Sequence, residues 1–154
     1  MIYRVCKSFH VESGHMLSKH PGLCRHPHGH SRRIDVVLWR QALDTQEMVC
    51  DFKALKLAMA PILAQLDHAM AINSRDPARQ SLETTSGRLV IFEDQDPTTE
   101  VLARWVYQFL SAELAAGKVY RDSGGVEYRF PDGVRLERVR VSETASTWAE
   151  YGTT

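Results

Sequence analysis

The sequence has only three cysteines, and none of them is spaced like a disulfide framework or a Cys-x-x-Cys metal site. Because three is an odd number, we expect reduced thiols, which is their usual state in the cytoplasm. No apolar run approaches the ~20 residues of a membrane-spanning helix, and the first residues lack the apolar segment of a signal peptide. We therefore expect a cytoplasmic protein with no membrane partner.

The chain also lacks an excess of charge of either sign. Lysine plus arginine and aspartate plus glutamate number 19 each, so the formal net charge is zero. No overall field attracts nucleic acid, and we expect no nucleic-acid partner. The sequence contains no internal repeat or low-complexity stretch. At 154 residues it is long enough to bury a core, and we expect a single domain over residues 1–154.

Alternating and helical hydrophobic patterns predict an α+β fold. Glycines and prolines between residues 13 and 29 predict a loop that joins two strands. Asp51 is a candidate N-cap for a first helix, and Asp96 is a candidate N-cap for a second helix that Gly117 ends. The predicted elements are strands at 2–11 and 30–40, helices after Asp51 and after Asp96, a loop at 73–96 with a short strand at 89–92, and strands at 126–130, 134–142 and 148–151.

Two further features concern the predicted sheet. Pro131-Asp132-Gly133 is a hairpin signal between two strands, and a change of apolar phase between Leu136 and Val139 predicts a β-bulge. The order of elements favours a four-stranded antiparallel sheet with two helices on one face. Such a small sheet leaves open edges, which association between subunits would close.

Histidine is concentrated at the start of the chain, where six of the seven lie within the first thirty residues. His28 and His30 are two residues apart, a spacing that puts both side chains on one face of a strand. With His15 they make three imidazoles, the pattern of a catalytic zinc site with an open fourth position. The alternative is a histidine-rich surface loop. The other histidines that spacing does not exclude as ligands are His10, His20 and His26.

Two other motifs carry side chains suited to proton transfer. Cys24 is either a further zinc ligand or a thiol made more acidic by a nearby cation; the alternative is an inert loop cysteine. Asp67 and His68 are a candidate acid–base pair, because a carboxylate beside an imidazole fixes its tautomer and raises its basicity. The alternative is a helix end at which a histidine meets the C-terminal dipole.

Polar residues elsewhere in the chain allow a binding function as well as a plain structural one. Glu143 ends an otherwise apolar strand, where it either faces solvent or anchors a heterocycle rich in N–H donors. Thr99 and Glu100 lie at the start of the second predicted helix. The basic residues around the histidine cluster either bind phosphate or form a solvated rim; they are Lys19, Arg25, Arg32 and Arg33.

Six short motifs occur in order over most of the chain and together resemble the 6-pyruvoyltetrahydropterin synthase family. Within that family they are most similar to the bacterial 6-carboxytetrahydropterin synthase branch. The motifs are Phe9 to His15, Cys24-x-x-x-His28-Gly29-His30, Val49 to Phe52, Leu66-Asp67-His68, Pro97 to Glu100, and Ser142-Glu143-Thr144.

The resemblance implies a role for each candidate residue. It assigns zinc binding to His15, His28 and His30, a catalytic triad to Cys24, Asp67 and His68, the pterin-anchoring carboxylate to Glu143, and the lining of the pterin pocket to Thr99 and Glu100. It also implies the tunnelling fold, in which subunits join their sheets into a barrel. The usual assembly is then a homohexamer made of two stacked trimers, with active sites between subunits.

The implied activity is that of a zinc-dependent lyase. The substrate would be 7,8-dihydroneopterin triphosphate, and the product 6-carboxy-5,6,7,8-tetrahydropterin, with release of acetaldehyde and triphosphate, for 7-deazaguanine and queuosine biosynthesis. The pyruvoyl-forming enzyme uses the same residues and stays an alternative, as does a non-catalytic pterin- or metal-binding relative. One departure from the family pattern is Arg32, at a position after His30-Ser31 where an aromatic residue is frequent.

Overall fold

The computed structural model describes residues 1–85 and 87–154, and within them it has a six-stranded sheet, a two-stranded ribbon and three α-helices. The strands are β1 (Tyr3–His15), β2 (His28–Arg40), β3 (Met70–Asn73), β4 (Leu89–Phe92), β5 (Tyr120–Arg121), β6 (Glu127–Tyr128), β7 (Arg135–Ser142) and β8 (Trp148–Gly152). The helices are α1 (Phe52–Leu66), α2 (Arg79–Thr85) and α3 (Thr99–Ala116). The α+β class is confirmed, but the sheet has six strands rather than four, and there is a third helix.

The sheet has the strand order β4-β3-β1-β2-β7-β8 and is mixed rather than purely antiparallel. β1 and β2 pair antiparallel along their whole length, whereas β3 runs parallel to both β1 and β4. β3 escaped prediction because it is short and its first three residues are all apolar, so it shows no alternation. The predicted short strand at residues 89–92 is confirmed as β4.

The loop predicted over residues 13–29 is confirmed at residues 16–27, but its two ends do not form. Residues 13–15 and 28–29 belong to strands, because Gly14 and Gly29 lie opposite each other where chains approach closely. A Cβ on Gly14 would come within 2.8 Å of the Met70 side chain. The hairpin around Pro131-Asp132-Gly133 does not form either. Instead, β6 pairs with β5 around a turn in which the Asp122 carboxylate accepts the N–H groups of Gly124 and Val126.

The bulge predicted on β7 is confirmed: Leu136 pairs with Leu38 and Arg138 with Val37, so one extra residue lies between them. The bulge restores the inward orientation of Val139, which is fully buried.

Capping side chains define the ends of α1 and α3. The Asp51 carboxylate accepts the Lys53 N–H, which confirms the predicted N-cap. The N-cap of α3 is Thr98, not Asp96, because the Asp96 carboxylate binds other segments. Gly117 ends α3 in the left-handed conformation, with φ of 61°.

The helices and the sheet share one hydrophobic core. Its fully buried members include Ile34, Val36 and Leu38 of β2, Leu55, Met59 and Ile62 of α1, and Leu102, Val106 and Leu110 of α3. None of the helices in the described part of the chain has the length and apolar character needed to cross a membrane.

Candidate metal centre and active site

Three histidine side chains meet where the β1–β2 pair ends. The register places His15 directly opposite His28, and His30 follows two residues later on the same face of β2. The ring centroids are 4.5 Å apart for His15 and His28, and 5.1 Å apart for each of the other two pairs. One ligand nitrogen from each ring lies within 4.8 Å of the other two. The trio could therefore hold a metal ion.

In the rings of His15 and His28, a hydrogen bond to a backbone carbonyl determines which nitrogen is free to bind a metal ion. The His15 Nδ1 lies 2.8 Å from the carbonyl of Pro97, and the His28 Nδ1 lies 2.8 Å from that of His26. Because a carbonyl only accepts, each Nδ1 must carry the proton and donate it. The Nε2 lone pairs of both rings are then free, which is the usual arrangement in histidine-bound metal sites.

The protonation and spacing of the rings also suit a metal ion. Burial, with a smaller contribution from the Arg32 charge, lowers the pKa of His15 to about 4, and the same two causes lower the pKa of His30. Both imidazoles are therefore neutral at neutral pH, as metal ligands must be. The Nε2 atoms of His15 and His30 are 3.2 Å apart. Tetrahedral zinc with bonds of 2.0–2.1 Å would require about 3.3 Å, so this pair of donors has the spacing that zinc needs.

A carboxylate adjoins the histidine cluster. Glu143 follows β7 directly, and its Oε1 lies 3.5 Å from the Nε2 of both His15 and His30. The Thr99 hydroxyl, in the first turn of α3, donates to the same oxygen over 3.2 Å. The Glu143 side chain is 34% exposed, so it remains open to a ligand.

Glu143 borders a cavity of about 300 Å³, at the lower end of the range for small-molecule sites. Cys24 lines the same cavity, half-buried in a short 3₁₀ turn over Leu23–Arg25. The Cys24 carbonyl accepts the N–H of Leu17, which ties this turn to the end of β1. The predicted site residues that meet here are Cys24, Thr99, Glu100 and Glu143.

The Asp67–His68 pair is formed but lies elsewhere. Asp67 follows α1, and its two carboxylate oxygens accept the Glu12 N–H at 2.8 Å and the His68 Nδ1–H at 3.0 Å. The hydrogen bond from the Glu12 N–H and, as a smaller effect, the one from His68 hold the pKa of the Asp67 carboxyl below its ordinary value. The His68 side chain is 73% exposed. Neither residue lines the cavity that contains Cys24.

The remaining basic candidates divide between surface and interior. Lys19, Arg25 and Arg33 are exposed, and so are the histidines whose spacing left them open as ligands: His10, His20 and His26. Arg32 is fully buried behind the histidine cluster, so it is not part of a solvated rim. The sequence did carry a signal for this position, since Arg32 continues the two-residue step of His28 and His30.

Comparisons with known proteins agree on one family. The model of the 6-pyruvoyl tetrahydropterin synthase family matches residues 4–154. A 6-carboxy-5,6,7,8-tetrahydropterin synthase from Aquifex aeolicus is 28% identical over 98% of this chain and 98% of its own. The enzyme of that name from a Synechocystis strain is 32% identical over 96% and 91%. The crystal structure of 6-pyruvoyl tetrahydropterin synthase from Plasmodium vivax shares 18% identity and a TM-score of 0.68 over 98% and 97%, which supports the tunnelling fold.

Proposed function

The chain belongs to the 6-pyruvoyl tetrahydropterin synthase family, and we propose that it is a zinc-dependent 6-carboxy-5,6,7,8-tetrahydropterin synthase. It would convert 7,8-dihydroneopterin triphosphate to that product, with release of acetaldehyde and triphosphate, and would serve 7-deazaguanine and queuosine biosynthesis. The observation that carries the proposal is a cavity lined by a thiol and by a carboxylate that lies 3.5 Å from two of the three convergent imidazoles. The choice of product rests on the carboxy-type relatives, which match nearly the whole chain.

The three histidines would hold the zinc ion. Bound zinc supplies Lewis-acid stabilisation of the negative charge that develops on the side-chain oxygens of the substrate. The neutral rings of His15 and His30 and the outward-facing Nδ1–H groups of His15 and His28 support this assignment.

Glu143 would bind the heterocycle. An ionised carboxylate only accepts hydrogen bonds, and one edge of a pterin presents a ring N–H and an amino group that only donate. Thr99 holds one of the two Glu143 oxygens, which orients the carboxylate for such a pair of donors. Glu100 lines the same cavity.

Cys24 and the Asp67–His68 pair would transfer protons. The thiolate of Cys24 would remove a proton from a side-chain carbon of the substrate. Because the Nδ1–H of His68 faces the Asp67 carboxylate, its Nε2 is the nitrogen that would exchange a proton with substrate.

We place these two groups of residues in one active site shared between subunits of a homohexamer. The exposed His68 and the cavity that contains Cys24 are separate within one chain, so a neighbouring subunit would bring them together. Mixing inactive Cys24→Ala and His68→Ala subunits tests this directly. Random reassembly of equal amounts would restore about one quarter of the activity, since a working site needs one intact residue from each variant. If both residues of a site came from one chain, the mixture would stay inactive.

Product analysis tests the reaction itself. The zinc-loaded protein is incubated with 7,8-dihydroneopterin triphosphate, and the products are identified by mass spectrometry. We expect 6-carboxytetrahydropterin and acetaldehyde, with loss of both in His15→Ala and retention in His10→Ala, a matched change at an exposed position of the same strand. Pyruvoyltetrahydropterin as the product would replace the proposed reaction with the pyruvoyl-forming one, and unchanged substrate would contradict both.

A further inference from the structure

Arg32 has an environment that the proposed chemistry does not explain. It lies on β2 two residues after His30, and its side chain is fully buried on the same face of the sheet. An arginine guanidinium stays protonated in proteins, so this position holds a buried positive charge. A buried charge is costly unless it is paired and hydrogen-bonded, so the contacts of this side chain indicate what it does.

Two of the three guanidinium nitrogens donate to protein acceptors, and the third faces the His15 ring. The Nε donates to the Ser13 hydroxyl at 3.0 Å, and one terminal nitrogen, Nη1, donates to the Thr99 hydroxyl at 3.1 Å and to the Ser142 carbonyl at 3.3 Å. The other terminal nitrogen, Nη2, lies 3.3–3.4 Å from both ring nitrogens of His15. Because its side chain has these contacts and no exposure to solvent, Arg32 is not accessible to a phosphate group.

The direction of these hydrogen bonds leads to Glu143. A guanidinium only donates, so the Thr99 oxygen must accept from Arg32 and its own proton is free to go elsewhere. That proton is donated to the Glu143 Oε1 at 3.2 Å. The Ser142 carbonyl, which Arg32 also binds, belongs to the residue just before Glu143. Arg32 therefore restrains Glu143 at both its side chain and its backbone.

We propose that Arg32 is a positioning residue, which holds Glu143 through the Thr99 hydroxyl and the Ser142 carbonyl in the orientation that receives the ring donors of a pterin. This inference rests on the function proposed above, in which Glu143 anchors the heterocycle. It adds a requirement at a position where the family often has an aromatic residue, which would not supply the fixed positive charge of a guanidinium beside Glu143.

Binding of neopterin, a fluorescent pterin without phosphate groups, separates this role from phosphate binding and from turnover. The titration uses the metal-loaded protein, with metal content measured on the same samples. We expect Arg32→Met to weaken neopterin binding roughly ten- to hundredfold, the effect of losing about one charge-assisted hydrogen bond, with metal content unchanged. Arg33→Met is the matched control, because this neighbouring arginine is exposed and pairs with Asp35. It should bind neopterin like the wild type.

Variants of Thr99 provide an independent test if Arg32→Met does not fold. Thr99→Val should reproduce the loss, Thr99→Ser should restore binding, and the Arg32→Met/Thr99→Val double variant should lose no more than the weaker-binding single variant. Wild-type affinity in Arg32→Met or in Thr99→Val would overturn the inference, as would a parallel loss of metal and neopterin in Arg32→Met. If Glu143→Gln binds neopterin as the wild type does, the proposed function loses its anchor and this inference fails with it.

Discussion

Replacing Asp96 with asparagine should destabilise the protein at neutral pH and much less in acid. Asp96 lies just before α3, and its carboxylate joins three segments of the chain. Its Oδ1 accepts the Ser18 hydroxyl at 2.6 Å and the Asn73 side-chain N–H at 2.9 Å, and its Oδ2 accepts the Lys19 N–H at 2.7 Å. The carboxylate thus fixes the loop that leads to Cys24 against β3 and the start of α3.

The size of the effect follows from which donors lose their acceptor. A carboxylate has two accepting oxygens, but the amide of Asp96→Asn has only one. The NH₂ group of the new side chain must therefore face either the Lys19 N–H or the side-chain N–H of Asn73. Asn73 is only 1% exposed, so water cannot replace the lost acceptor there. At least one charge-assisted hydrogen bond is lost, at a cost of about 1.5–3 kcal/mol. For a chain of this length, that corresponds to a decrease in Tm of roughly 3–12 °C.

The pH dependence follows from the pKa of Asp96. Burial alone would raise this pKa, but the hydrogen bonds from Ser18, Asn73 and Lys19 outweigh it and hold the pKa below the ordinary value of 3.8. Because the folded-state pKa is the lower one, the stabilisation is fully present above the unfolded pKa and is lost as pH falls through the folded pKa. The difference between the wild type and Asp96→Asn should therefore be constant near neutral pH and shrink below about pH 4.

Urea unfolding at several pH values, at matched protein concentration and metal content, measures this difference. Asp94→Asn is the control, since Asp94 is exposed, pairs with Arg75, and has a φ of 54° that asparagine also tolerates. It should change stability by no more than about 1 kcal/mol. The argument would be refuted if the two variants lost equal amounts of unfolding free energy, or if the loss in Asp96→Asn were independent of pH.

Three further predictions concern the proposed site and the core. Cys24→Ala should abolish turnover and leave zinc content near the wild-type value; loss of zinc on this change would make Cys24 a ligand. His30→Ala should lower zinc content as measured by metal analysis, because it removes one of the three imidazoles, whereas His26→Ala, an exposed change in the same segment, should not. Leu102→Ala, in the core between α3 and the sheet, should cost about 2–5 kcal/mol in urea unfolding; a cost well under 1 kcal/mol would contradict the packing described.

Much of the fold was predictable where one face of an element is buried. Periodicity alone located β2, α1 and α3, because their core-facing residues recur at the spacing of a strand or a helix. It failed at Gly14 and Gly29, where glycine permits two strands to approach rather than marking a loop. It also failed at Asp96, whose partners lie in segments far away in the sequence.

The candidate site was predictable in part for the same reason. The His28–His30 pair follows from spacing within one strand, but the place of His15 opposite His28 depends on the register between two strands. The buried state of Arg32 follows from the phase of β2, yet the charge of the residue suggested an exposed position. Its hydrogen bonds to Thr99 and to Ser142 join residues that are 67 and 110 positions away, and no local pattern indicates them.

The register of β1 and β2 has a consequence for how the candidate metal centre would be assembled. A slip of one residue in this pairing would turn every side chain of one strand to the other face of the sheet, so His15 would no longer meet His28 and His30. An ion bound by all three imidazoles can bind only after the two strands have paired in their native register. Metal affinity would then add to the stability of this one register over its alternatives, and the ion would act as a selective restraint on the folding of the sheet.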